Sequence, residues 1–114
     1  MKQRVAIARA LANYPQLILM DEPFGSLDSL TRAFMQEFLT RLWEKEQKTI
    51  IFVTHDVEEA AFLADKIYVL GKRHVGIKKS FAVDFERPRK NSLKRTKEFF
   101  DFKNKIIDCL RASF

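Results

Sequence analysis

Two adjacent carboxylates, Asp21 and Glu22, close the apolar run Leu17-Ile18-Leu19-Met20, and His55 follows a second apolar run, Ile50-Ile51-Phe52-Val53. Acids at the end of one strand and a histidine at the end of the next suit hydrolysis of a phosphate ester with a bound divalent ion. An aspartate holds Mg²⁺ directly or through water, and a neighbouring carboxylate orients or deprotonates the attacking water. A histidine there can donate a hydrogen bond to the transferring phosphoryl group or sense its loss. Nucleoside triphosphate hydrolysis is therefore the leading class. The plainer reading of the same residues is an acidic turn behind a core strand and a structural histidine beside a helix cap.

The elements that must position these groups are legible. Each apolar run has strand length and no polar break, which reads as a buried strand of a parallel sheet. Between them Asp28 is a good N-cap for a helix over residues 29 to 46, with Leu30, Phe34, Phe38, Leu39, Leu42 and Trp43 as its apolar stripe. Strand, helix, strand is a βαβ unit, whose right-handed crossover makes the strands parallel. Asp21, Glu22 and His55 then emerge at one edge of the sheet, outside the carboxyl ends, where ligands of open α/β sheets lie.

The flanks are simpler. Residues 2 to 13 read as a helix ended by Asn13-Tyr14-Pro15, with no cap sequence ahead of it. Asp56 and Glu59 form a capping-box pattern for a short helix over 57 to 64. A third strand is expected at 67 to 70 and one or two edge strands between Val75 and Phe85. Residues 87 to 91 read as a linker, and residues 93 to 111 as an amphipathic helix with Phe99, Phe102, Ile106 and Leu110 on one face.

Composition sets limits. The chain has 114 residues, 46% hydrophobic and 32% charged, enough for one modest core. Its apolar runs are too short for a spanning helix, and Met1-Lys2-Gln3-Arg4 does not open a signal peptide. One cysteine, Cys109, excludes an internal disulfide and agrees with a reducing compartment. The net charge of +6 is uneven: residues 1 to 71 are net −2 and residues 72 to 114 net +8. A basic end can meet nucleic acid or an anionic membrane, yet solvated helix faces carry such excess too.

The ordered set of motifs carries a resemblance. Lys2-Gln3-Arg4-Val5-Ala6-Ile7-Ala8-Arg9-Ala10-Leu11, then Asp21-Glu22-Pro23-Phe24 with Gly25-Ser26-Leu27-Asp28, then Thr54-His55-Asp56, resemble the C-terminal half of an ABC transporter ATPase. The resemblance implies a partial P-loop NTPase fold, α/β, with a mostly parallel sheet and a C-terminal edge hairpin and helix. It makes Leu17 to Glu22 the Walker B segment, Asp21 the Mg²⁺-associated acid, and Glu22 the catalytic base. It makes Ser26-Leu27-Asp28 the D-loop facing the opposite monomer, so that Asp21, Ser26 and Asp28 belong to the nucleotide site. His55 becomes the switch histidine that contacts the γ-phosphate. ATP and Mg²⁺ are the implied ligands. The implied partners are transmembrane permease subunits, a second ATPase subunit and, indirectly, a solute-binding protein, at the cytoplasmic face of the membrane. Phe24, Glu58-Glu59-Ala60 and Phe85-Glu86-Arg87-Pro88-Arg89 look most like the nitrate, sulfonate and taurine importer group.

One departure matters. The sequence contains no G-x-x-x-x-G-K-[ST] phosphate cradle; the near miss from Gly71 to Gly76 is followed by Ile77 and a strand. By the resemblance the cradle, the signature glycines, the glutamine loop and the adenine-stacking aromatic all lie upstream, which fits a truncated product, an internal start or a fragment. The expected division is residues 1 to 86 as ATPase domain and residues 87 to 114 as basic linker and helix. Two rivals follow: a non-enzymatic remnant that binds a permease or a full-length ATPase, and a basic nucleic-acid binder using residues 72 to 111, which no known reader motif supports.

Overall fold

The computed structural model describes residues 17–71 and 76–112. The helix expected over residues 2 to 13 lies outside these. The chain divides into two compact units, residues 1–55 and 56–114.

In the first unit, strand β1 (Leu17–Asp21) leads through a turn to helix α1 (Ser29–Glu46) and strand β2 (Thr49–Val53). The strands pair in parallel, in register from Leu17 opposite Thr49 to Asp21 opposite Val53. The βαβ expectation therefore holds. Asp28 caps α1, its carboxylate accepting from the Thr31 backbone N–H at 2.9 Å. The helix ends where Gln47 turns left-handed (φ 49°) and donates its backbone N–H to the Trp43 carbonyl. The Trp43 indole N–H donates to the Lys48 carbonyl at 2.7 Å, tying the last turn of α1 to the entry of β2.

Two details differ from expectation. The apolar runs are not buried on both faces: β1 alternates, with Ile18 and Met20 buried and Leu17 and Leu19 exposed. One crossover helix covers one face of a parallel pair, so strands that read as two-sided are covered on one side among the described residues. The apolar stripe of α1 is also rotated. Met35, Gln36, Leu39 and Thr40 are buried, whereas Leu30 and Phe34 are exposed. Counting apolar residues favoured the richer face; packing selected the one that places Met35 and Leu39 inside.

In the second unit helix α2 (Val57–Leu63), strands β3 (Lys66–Leu70) and β4 (Ile77–Ala82), a 3₁₀ turn (Asn91–Arg95) and helix α3 (Lys97–Arg111) surround one core. β3 and β4 pair antiparallel and make a sheet separate from the β1–β2 pair. The described strands thus comprise one parallel and one antiparallel pair, an α/β arrangement. The core gathers Ala61, Phe62, Ile67, Val69, Val83, Phe99 and Ile106, with Phe102 and Leu110 packed against it as the helical spacing of α3 requires. The Phe85 ring packs on Phe99 at 5.7 Å and edge-on to Phe102 at 5.6 Å. The helix expected from residue 93 begins instead at Lys97, because Thr96 caps it, accepting from the Phe99 N–H.

The segment read as a linker is anchored. Arg89 is buried and donates to the carbonyls of Phe62, Ala64 and Phe85. Arg87 donates to the Leu63 carbonyl at 2.7 Å and pairs with Asp65 at 3.0 Å. Three of these carbonyls belong to the end of α2, the negative pole of the helix, where cations are favoured. Burial, and after it the nearby Arg87 charge, lower the Arg89 pKa to about 10, with Asp65 offsetting part of the effect.

Candidate functional site

The site forms where β1 and β2 end. Glu22 continues the ladder one residue past β1, its N–H donating to the Val53 carbonyl at 2.8 Å. This fixes Glu22 beside the exit of β2, and His55, two residues past Val53, reaches it: His55 Nε2 lies 3.0 Å from Glu22 Oε1. Parallel register alone brings together two residues far apart in sequence. Both side chains face solvent, with 93% of the histidine and 40% of the glutamate accessible. An exposed contact of this kind is worth at most about 1 kcal/mol, so either group can exchange it for a ligand.

Glu22 also has a positive φ of 46°. For a non-glycine residue this conformation costs of order 1–3 kcal/mol and persists where the surroundings impose it. The surroundings are identifiable. After Pro23, the fully buried Phe24 ring packs on Phe52 at 5.7 Å. The Gly25 N–H donates to the Glu22 carbonyl and the Leu27 N–H to the Phe24 carbonyl. An Arg32 guanidinium N–H donates to the Gly25 carbonyl at 3.3 Å. The loop from Glu22 to Asp28 is therefore pinned at its middle by an aromatic anchor and at its far end by a helix cap.

Asp21 ends β1 with its side chain exposed, next to Glu22. Ser26 is exposed in the loop. Asp28 is engaged locally: its two carboxylate oxygens accept from the N–H and the hydroxyl of Thr31, both at 2.9 Å. The backbone hydrogen bond from Thr31, then the side-chain one, pull its pKa below the ordinary aspartate value. The structure thus brings Asp21, Glu22 and His55 to one sheet end and keeps Asp28 as the cap of α1. The anchors Phe24, Thr31 and Arg32 were not singled out as positioning residues. For Thr31 the signal was present, because a capping aspartate bonds two or three residues onward.

Among the described residues no three His, Cys, Asp or Glu side chains stand together as a metal site. The carboxylate available at the exit of β1 is that of Asp21, exposed, while the Glu22 carboxylate is engaged by His55. Such a donor fits Mg²⁺, which takes one or two protein carboxylates and completes its shell with water and phosphate oxygens. It does not fit a self-contained structural metal.

Comparison with known proteins decides the family. The chain is 48% identical, over 97% of its length, to an uncharacterized ABC transporter ATP-binding protein of Methanocaldococcus jannaschii, covering 40% of that protein. It is 46% identical, over 98% of its length, to the nitrate import ATP-binding protein of Synechocystis sp., covering 44% of it. It is 44% identical, over 99% of its length, to the taurine import ATP-binding protein of Rhizobium johnstonii, covering 45% of it. The chain belongs to the ABC transporter ATP-binding family. It spans less than half the length of these relatives. No family model matches it. Among the described residues no helix is long and apolar enough to cross a membrane.

Proposed function

We propose that the chain is the part of an ATP-hydrolysing importer subunit that carries the water-activating and switch residues, on a P-loop NTPase fold completed by a separate phosphate-binding part. The observation that carries this reading is the 3.0 Å contact between Glu22 and His55 at the shared carboxyl end of β1 and β2. Glu22 accepts the proton of the attacking water. The strained, pinned turn at Glu22 holds its backbone at a set position, and placement before reaction is what makes a general base effective. His55 orients Glu22 at rest and donates to a phosphoryl oxygen when nucleotide is present. Asp21 would hold a magnesium ion, which would supply charge neutralisation at the phosphates. Asp28 caps α1 and, with Ser26, presents the loop toward a second subunit.

Positioning and electrostatic stabilisation of the phosphates supply most of the catalysis in phosphoryl transfer. The sequence contains no phosphate cradle, so the 114-residue chain alone neither binds ATP tightly nor turns it over. The partners of the complete assembly are a second ATPase subunit, membrane permease subunits at the inner face and, through them, a solute-binding protein. The names of two relatives support a nitrate- or taurine-like solute.

The test is Glu22→Gln in a subunit that joins this stretch to a phosphate-binding loop. ATP turnover falls about 100-fold or more, the range of a lost general base, while nucleotide binding is retained. Unchanged turnover overturns the assignment of Glu22, and turnover by the 114-residue chain that disappears in Glu22→Gln overturns its inactivity. The missing cradle also supports a second reading, a binding remnant for a permease or full-length ATPase. Under that reading capture of such a partner survives both Glu22→Gln and His55→Ala.

A further inference from the structure

The second unit has a cleft that nothing in the hydrolysis reading uses. Strand β4 forms one wall with Lys78, Lys79 and Phe81, and the C-terminal turns of α3 form the other with Lys105, Asp108, Cys109 and Ala112. It is a shallow depression that opens broadly to solvent, with a volume of about 400 Å³. That lies in the range of small-molecule sites, roughly 300–1,000 Å³, and is too small to seat a helix about 10 Å across with its side chains.

The walls have a definite chemistry. Phe81 is half-buried, its ring edge-on to Phe102 at 6.3 Å, so its face is held in place. With Ala112, Cys109 and the lysine stems it makes an apolar floor. Lys79 Nζ stands 5.1 Å from the centre of the Phe81 ring. Lys78 Nζ donates to the Cys109 carbonyl at 3.0 Å, bracing strand against helix end and keeping that charge in the cleft. The lining carries three lysines and one aspartate, two positive charges in excess. An ammonium is a compact point cation with freely turning donors, suited to carboxylate, sulfonate or phosphate oxygens without demanding a bidentate fit.

We propose that the cleft between β4 and α3 binds a small organic anion, its acidic group among Lys78, Lys79 and Lys105 and its apolar body on Phe81. The ligand class is an aromatic or aliphatic carboxylate, sulfonate or phosphate monoester. This site is independent of the strand-end site in the first unit.

The chain's single cysteine lies in this cleft and reports on it alone, whatever else a probe touches. The measurement compares Cys109 modification in the 114-residue chain by two aromatic disulfides, dianionic dithiobis-nitrobenzoate and neutral dithiodipyridine. Docking before reaction makes the rate with the anionic reagent saturate with concentration. In Lys79→Gln/Lys105→Gln that rate falls about tenfold, the scale of local electrostatic concentration, while the neutral reagent is unaffected. A rate linear in the anionic reagent and indifferent to both lysines overturns the proposal. A second measurement on the unmodified sequence needs no variant. Naphthalenesulfonate protects Cys109 from the neutral reagent and naphthalenemethanol does not; equal protection by both, or by neither, overturns the anion site.

Discussion

Asp28 shows how one residue serves both fold and site. Its carboxylate closes the N-terminus of α1 through Thr31 and ends the loop that begins at Glu22. Those bonds favour the ionised form, so the folded-state pKa lies below 3.8, its ordinary value. The folded state therefore releases this proton more readily than the unfolded chain. The resulting stability is complete above the unfolded pKa and is lost as pH falls through the folded pKa. Asp28→Asn keeps an acceptor for the cap and removes the titration. The melting temperature of the aspartate protein is accordingly expected to fall more steeply than that of Asp28→Asn between pH 5 and about pH 3. Parallel pH profiles would show that Asp28 carries no linked proton. The residue itself was readable from sequence, since Asp ahead of an apolar-periodic stretch is a cap signal. The strain at Glu22 was not, because a positive φ at a glutamate arises from Phe24 being buried and Gly25 bonding back, which are tertiary facts.

Among the elements, α2 depends most on its surroundings. Seven residues are too few for a helix to persist alone, and its last carbonyls are received by Arg87 and Arg89 from beyond β4. A planar guanidinium reaches several carbonyls at once, whereas a lysine ammonium presents its donors from a single point. Arg89→Lys is therefore expected to destabilise the second unit, and Arg89→Met by more, roughly 2–4 kcal/mol in urea unfolding, since the ammonium reaches fewer of the three carbonyls and the thioether none. A loss below about 0.5 kcal/mol, the level of a neutral surface change, would show that the arginine is not a cap. The segment over residues 87 to 91 reads as a linker for an understandable reason. Arg-Pro-Arg-Lys-Asn has the composition of a solvated turn, and nothing in spacing reports that its arginines point inward. The strands and the helices were readable as elements because their signals are local: β-branched runs, a cap at Asp28 or Asp56, and aromatic residues at helical spacing in α3. The rotated face of α1 was not, because Leu30 and Phe34 match the helical pattern and only packing tells which apolar face is used.

At the scale of the whole molecule, among the described residues, one face of the β1–β2 pair stays open. Leu17 and Leu19 from one strand and Ile51 and Val53 from the other alternate outward together, each between 42% and 69% accessible. Contiguous apolar surface of this kind is uncommon on soluble monomers, and strand pairs with unpaired backbone at their margins add a template for association. The relatives supply a reason for its presence, since each is more than twice as long as this chain and has further sequence available to cover such a face. Uncovered, the face drives association by the same apolar burial that would seat it in a longer subunit, about 25 cal/mol per Å² removed from water. The 114-residue chain is therefore expected to self-associate with rising concentration in sedimentation velocity. Leu19→Lys with Ile51→Thr is expected to shift it toward a monomer without loss of helical circular dichroism, because both side chains already face solvent. The pair tests the cause as well as the effect. Persistent association in the double variant would place the adhesive surface elsewhere, on the exposed Tyr68, Leu70 and Ile77 of the second unit. A monomeric starting chain with a cooperative melt would mean that the β1–β2 face tolerates water without a partner.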